Sequence, residues 1–226
     1  MDPLNLRRNH LSEYRKVLTD EQCQDIIATM KAKITQFKND PGDDTDIKFN
    51  DDDHRQDWNI FAQHYQSFDD ITKLIRARVK SGWDNYLQCY LEDYDPYDSA
   101  TSKHRGKHIE ESVKLQWSPP GGGFTGWHSE QGSSLASMPR YAVWMIYLNS
   151  IDKKDGGSTQ FRHLTDKHGE QLGIQPEAGT LLIWPAAYTH EHRSAPDLKT
   201  DKFIATGWFT YDPDRNLQLK PVLVKK

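Results

Sequence analysis

The chain is short of cysteine, of long apolar runs and of surplus positive charge, and each shortage removes a class of protein. Two cysteines, Cys23 and Cys89, are too few for a disulfide framework, and both fall in segments with a helical pattern. They read as buried or half-buried thiols of a reducing compartment, and a cytoplasmic location is expected. No stretch approaches the roughly eighteen apolar residues of a membrane-spanning helix. Mean hydropathy is −0.87 and 27 % of residues are charged, so no membrane association is expected. The opening MDPLNLRRNHLSEYRK lacks the apolar core of a signal peptide. With a net charge of −4 and a pI near 6.2, no nucleic-acid partner is expected either. Internal repeats and low-complexity tails are also missing. Gly121–Gly123 do not lead into a helix, so they read as a mobile loop over a site and not as a phosphate cradle.

What is present is enough for one domain. The 226 residues are 11 % aromatic, with seven tryptophans. Residues 18–36 and 67–93 carry helical periodicity, the second with a candidate break at Gly82. Thr19 or Asp20 can cap the first helix. Residues 39–53 hold seven aspartates with Pro41 and Gly42, and read as a solvated loop. From Val113 to Tyr211 the pattern changes to about eight short strands separated by Gly and Pro turns, YAVWMIYLNS being the most apolar and suited to cover on both faces. LQLKPVLVKK closes the chain as an edge strand or a loose end. The expected class is α+β, mainly β. It is a jelly roll (double-stranded β-helix) with N-terminal helices packed on one sheet. The division is a helical part at 1–112, a jelly-roll core at 113–211 and a tail at 212–226, all in a single domain 1–226.

The chemistry concentrates at His128-Ser129-Glu130. On a strand, residues two apart point to one side. Two imidazoles and a carboxylate can grip one face of a divalent iron and leave the other face open to small molecules. Three protein ligands suit a reaction centre, because closed structural sites usually take four. The third ligand must come from a distant strand, where His190 and His192 are both available.

The surrounding residues add a second signal. Tyr147-Leu148-Asn149 ends a strand, and Gly156-Gly157-Ser158-Thr159-Gln160-Phe161 follows. Pro196, Lys202 and Trp208 then stand four, ten and sixteen residues beyond His192. In this order and spacing the chain, over roughly 113–211, resembles the iron- and 2-oxoglutarate-dependent dioxygenases of the prolyl 4-hydroxylase-like branch. The helix VLTDEQCQDIIA is also similar to that family's usual opening. The resemblance favours His192 as distal ligand, since Thr200, ten beyond His190, cannot neutralise a carboxylate. It implies that His128, Glu130 and His192 hold Fe(II), and that 2-oxoglutarate and O2 fill the open positions. Lys202 would pair with the distal carboxylate of 2-oxoglutarate, Tyr147 and Thr206 would donate hydroxyl hydrogen bonds to it, and Trp208 would line the pocket. Ascorbate is a candidate reductant. Arg140 and Arg193 are candidate substrate-side cations. Two departures stand out: Glu130 replaces the commoner Asp, and Gln116, Trp117 and Pro119 stand where the family often has Tyr. A retained carboxylate argues against a halogenase. The implied activity is hydroxylation of a prolyl or other amino-acid residue, free or in a peptide or protein, coupled to conversion of 2-oxoglutarate to succinate and CO2. The alternative is a catalytically silent or cupin-like jelly-roll module that binds a peptide or sugar.

Overall fold

The computed structural model describes residues 9–42, 44–90, 108–110, 112–137 and 139–211. The first helix, α1 (Asp20–Asn39), begins where the sequence supplies a cap. The Thr19 hydroxyl accepts from the Gln22 N–H at 3.2 Å, and the Gln22 side chain accepts from the Thr19 N–H at 3.0 Å. Asp20 and Glu21 sit at its positive end. Its apolar stripe of Cys23, Ile26, Ile27, Met30 and Ile34 is buried. The second helix, α2 (Asp69–Tyr90), buries Ile75, Val79, Trp83 and Tyr86 and runs unbroken through Gly82. Gly82 is there for closeness: a Cβ at this position would stand 2.5 Å from Leu181 Cδ2. The glycine lets the helix sit directly on a strand.

The strands are β1 (Ser12–Tyr14), β2 (Ile47–Asp52), β3 (Arg55–Phe61), β4 (His108–Glu110), β5 (Lys114–Ser118), β6 (Gly123–Phe124), β7 (Arg140–Tyr147), β8 (Thr159–Thr165), β9 (Gln171–Ile174), β10 (Leu181–Pro185), β11 (His192–Ser194) and β12 (Lys202–Tyr211). Among the described residues they make two antiparallel sheets. The larger runs β1-β10-β7-β12-β5-β3-β2, with β4 on β12 and β6 on β3, and the smaller runs β11-β8-β9. Two curled sheets joined this way are a double-stranded β-helix, or jelly roll, with both helices on the outer face of the larger sheet.

Alternation along the central strands explains the layering. On β7, Ala142, Trp144 and Ile146 face the helices, whereas Val143, Met145 and Tyr147 face the smaller sheet. On β10 the two sets are Leu181 and Ile183 against Leu182 and Trp184. On β12, Phe203, Ala205 and Phe209 join the helix layer, and Trp208 joins the layer between the sheets. β7 is covered on both faces, as its apolar run implies.

Three expectations change. Residues 39–53 are not a loop throughout: β2 pairs with β3 from Ile47↔Ile60 to Asp52↔Arg55. Its acidic residues suit an outer strand, where charge discourages further pairing. The part before Val113 is therefore not simply helical, because it also supplies β1, β2 and β3 to the larger sheet. The segment 124–130 is mostly an extended loop, with strand pairing only at Gly123–Phe124 and one bridge at His128. The tail at 212–226, with LQLKPVLVKK, lies outside the described residues. No helix among them is long and apolar enough to cross a membrane.

Ile146 is fully buried between β7 and the helices. Ile146→Ala should lower unfolding free energy by about 2–5 kcal/mol. Urea denaturation measures this, and a loss well under 1 kcal/mol would contradict the helix-on-sheet layer.

Candidate active site

Between the sheets, at their open end, lies a cavity of about 360 Å³. The larger sheet supplies most of its wall and the loop 124–130 closes one side. That loop is pinned at two points. His128 and His192 exchange backbone hydrogen bonds at 3.1 and 2.9 Å, and the N–H groups of Glu130 and Gln131 donate to Ala186 O at 3.1 and 2.9 Å.

The pins bring three side chains together. His128 Nε2 is 3.6 Å and His192 Nε2 3.7 Å from Glu130 Oε1. One ligand atom from each residue lies within 4.8 Å of the other two, and among the described residues this is the one such group. Both imidazoles are held by their other nitrogen. His128 Nδ1 is 2.9 Å from Gly126 O, and His192 Nδ1 is 3.0 Å from His190 O. A carbonyl only accepts, so each Nδ1 carries a proton, and in a neutral ring that turns the Nε2 lone pair toward Glu130. Burial pushes the His128 pKa down, which favours that neutral ring. Three electron-rich atoms facing one another call for a cation between them.

Glu130 is oriented from behind. Its Oε2 accepts from Arg140 Nη1 at 3.1 Å and Trp208 Nε1 at 2.9 Å, and the Arg140 guanidinium lies 3.6 Å over the Trp208 ring. Arg140, expected on the substrate side, thus holds the carboxylate, and Trp208 does more than line the pocket. His190 is turned away: its ring nitrogens meet Thr189 Oγ1 at 2.9 Å and Asn9 O at 2.6 Å, and burial lowers its pKa.

Lys202 lies at the other end of the cavity, 5 % exposed. Its ammonium donates to Gly157 O at 2.7 Å and Ser194 Oγ at 3.4 Å, with no carboxylate partner among the described residues. Desolvation brings its pKa down to about 7. The lone cation is costly unless an anion joins it. Thr206 lines the cavity but donates its hydroxyl to Trp144 O at 2.8 Å. Tyr147 is not in the cavity lining but adjoins it: the Lys202 ammonium lies 5.7 Å over its ring, and its hydroxyl donates to the lining residue Thr159 at 2.7 Å and faces Ile174 O at 3.2 Å. The Tyr147 and Thr206 hydroxyls thus each have a protein acceptor within reach, Thr159 and Trp144. Arg193 sits at the rim, 4.3 Å over Trp127, with Nε on Gln160 Oε1 at 2.9 Å.

The wall from β3 and β5 was not anticipated. The fully buried Asp57 accepts from Asn50, Arg55, Asn59 and Gln116, and Arg55, Asp57, Lys114 and Gln116 all face the cavity. The hairpin that carries Asn50 and Arg55 was hidden inside an acidic stretch. The alternation Asp57, Asn59 on β3 was the available signal.

Residues 114–210 match the model of the 2OG-Fe(II) oxygenase superfamily. They belong to that superfamily. Its cofactors are Fe(II), 2-oxoglutarate and O2, in keeping with the donor set and the unpaired ammonium. The chain is thus an oxidoreductase of the dioxygenase type. Solved structures share the fold. A prolyl-4-hydroxylase from Pseudomonas putida superposes with a TM-score of 0.63 at 16 % identity, over 92 % of this chain and 96 % of that one. The viral collagen prolyl hydroxylase of Paramecium bursaria Chlorella virus-1, as its 2OG complex, gives 0.58 at 18 %, over 92 % and 99 %. A prolyl hydroxylase in complex with a hypoxia-inducible-factor peptide, from Trichoplax adhaerens, gives 0.66 at 14 %, over 95 % and 90 %. No curated protein matches the sequence.

The Lys202 environment sets a pH dependence. Its pKa is lower folded (about 7) than in the ordinary state (10.5), so between those values the unfolded chain binds more protons. Stability of the ligand-free protein should therefore rise with pH across that window, by at most about 1.4 kcal/mol per unit from this group. Below pH 7 the contribution is flat and unfavourable. The difference between wild type and Lys202→Met in urea melts isolates it, and parallel curves would refute the buried, unpaired state.

Proposed function

We propose that this chain is an Fe(II)- and 2-oxoglutarate-dependent hydroxylase of an amino-acid residue, prolyl or another, free or in a peptide. The observation that carries the proposal is the pairing of the His128, Glu130 and His192 cluster with a buried Lys202 ammonium that has no carboxylate partner at the far end of the same cavity. In this reading His128, Glu130 and His192 hold the metal. Iron held there with 2-oxoglutarate would supply the oxidising chemistry, with O2 as oxidant: one oxygen atom goes to succinate as CO2 leaves 2-oxoglutarate, and the other goes to the substrate C–H. The protein's own residues do the positioning. Gly126 O and His190 O fix the imidazole tautomers, and Arg140 and Trp208 fix the carboxylate. Lys202 neutralises the distal carboxylate of 2-oxoglutarate, with Ser194 beside it. The apolar Val143, Met145, Trp184 and Ile204 help shield the centre from water. The prolyl hydroxylases of the same fold, one holding a peptide, support an amino-acid or peptide substrate. A silent binding module would have no use for this metal cluster and lone ammonium together.

Incubation with iron, ascorbate, 2-oxoglutarate and a panel of amino acids and peptides should release succinate and add one oxygen to a panel member, read by mass spectrometry. No succinate above a His128→Ala control would refute turnover. His192→Ala should abolish iron binding and His190→Ala should not, by metal titration, and the reverse result would move the ligand to His190. Lys202→Ala should raise the 2-oxoglutarate requirement about ten- to hundredfold, the worth of a charged hydrogen bond of about 1.5–3 kcal/mol, with iron affinity unchanged. Unaltered cosubstrate dependence would remove Lys202 from its role.

A further inference from the structure

The cavity has a second cation that no described residue pairs at ion-pair distance, although the charges of Glu130 and Asp57 both act on it. Lys114 lines it from β5, with its ammonium 5.1 Å over the Trp208 ring and no hydrogen bond or ion pair to any described residue. In the β5–β12 register Lys114 stands opposite Thr206, whereas Lys202 stands opposite Ser118. Four residues of strand separate the two positions, roughly 13 Å. A single 2-oxoglutarate on Lys202 therefore leaves Lys114 unanswered.

The surroundings of Lys114 form a built polar wall. Arg55 places Nε 3.1 Å from each Asp57 oxygen and Nη2 3.2 Å from Asn59 Oδ1. Its guanidinium lies 5.0 Å over Phe124, which stacks on His128 at 3.7 Å. Gln116 donates to Asp57 at 2.9 Å. Asp57 answers Arg55, and Glu130 is shared between Arg140 and the His128–His192 cluster, so Lys114 leaves this wall with positive charge in excess. The wall adjoins the His128 and Glu130 side of the cluster, where a molecule to be oxidised must lie.

We propose that Lys114, flanked by Arg55, anchors a carboxylate of the primary substrate and so determines specificity for an anionic amino-acid or peptide group. Asp57 and Glu130 line the same side of the cavity and limit how much further negative charge it accepts. A dianionic phosphate would leave charge uncompensated beside Asp57 and Glu130, so a carboxylate is the better fit. The source is either the free α-carboxylate of an amino acid or an acidic side chain in a peptide. The inference rests on Lys202 being the 2-oxoglutarate end of the cavity.

Trace acetylation of lysines with peptide mapping by mass spectrometry tests both points separately. The full chain is loaded with Zn(II) in place of iron. Saturating N-oxalylglycine, a dicarboxylate analogue of 2-oxoglutarate, should shield Lys202 and leave Lys114 reactive. To that complex are added the free amino acids, their amides, capped Asp and Glu peptides, and inorganic phosphate. At least one free carboxylate should slow Lys114 labelling by about 1 + [L]/Kd, roughly tenfold at tenfold excess over Kd. Its amide should not. Shielding by free amino acids but not capped acidic peptides identifies the α-carboxylate, and the opposite pattern identifies the side chain. Shielding by amides as well, by phosphate alone, or by nothing in the panel overturns the proposal. So does shielding of Lys114 by N-oxalylglycine. Failure of N-oxalylglycine to shield Lys202 overturns the cosubstrate assignment instead. In Lys114→Met, calorimetric affinity for the shielding carboxylate should fall about ten- to hundredfold while N-oxalylglycine affinity holds, and equal losses of both would mark a folding effect and overturn the assignment.

Discussion

Two backbone hydrogen bonds, exchanged between His128 and His192, hold this site together. They join a loop of little regular structure to the edge strand of the smaller sheet. The same loop is tied at Glu130 and Gln131 to Ala186, just past the end of β10 in the larger sheet. Residues 128–131 therefore span the two sheets at their open end. The side chains inherit their convergence from that backbone. A residue inserted between His128 and Glu130 would leave one pin or the other unmade. Each imidazole then takes its tautomer from a carbonyl two residues away, so the aim of both Nε2 atoms is set before any metal arrives.

β12 links the two halves of the chemistry. Lys202, Ile204, Thr206 and Trp208 alternate onto the cavity face, and Phe203, Ala205 and Phe209 pack against the helix layer. One strand thus carries the Lys202 ammonium at one end and the indole that orients Glu130 at the other. The helices matter to the site through this strand. They bury its opposite face and fix its position, although none of their residues lines the cavity. Glu130 has one more torsion than an aspartate would, and the hydrogen bonds from Arg140 and Trp208 to Oε2 restrain it while Oε1 stays with the imidazoles.

The jelly-roll core, both helices and the residues of the cluster were readable in the sequence because each leaves a local mark. Alternation marks a strand, a capped stripe marks a helix, and His-x-Glu with a distant His at a fixed spacing from Lys and Trp marks the centre. What escaped depends on long-range pairing. β2 has only one buried apolar residue, Ile47, and six residues dominated by charge and amide, so its composition looks like loop. It is a strand because β3 is there to pair with it. Arg140 was visible as a cation, but its partner is set by the loop pins. Tyr147 also meets Thr159 across the sheets, a contact that no spacing along the chain discloses.

The division between shared and particular parts of the cavity follows from where the residues come from. His128, Glu130, His192, Lys202 and Trp208 all fall within the 114–210 segment that matches the superfamily. Arg55 and Asp57 fall outside it, and Lys114 is its first residue. The wall facing the metal cluster is therefore built by the hairpin β2–β3, which docks on β5 through pairs such as Asn59↔Gln116. A reaction centre of this kind oxidises whatever C–H bond is held beside it. Selectivity must then come from groups that hold the rest of the molecule. Here Lys114 stands beside Arg55, Asn59 and Gln116, which are hydrogen-bonded around the fully buried Asp57 carboxylate and make the wall rigid and costly to alter piecemeal. An apolar substrate would leave Lys114 without a partner and lose against one that supplies it.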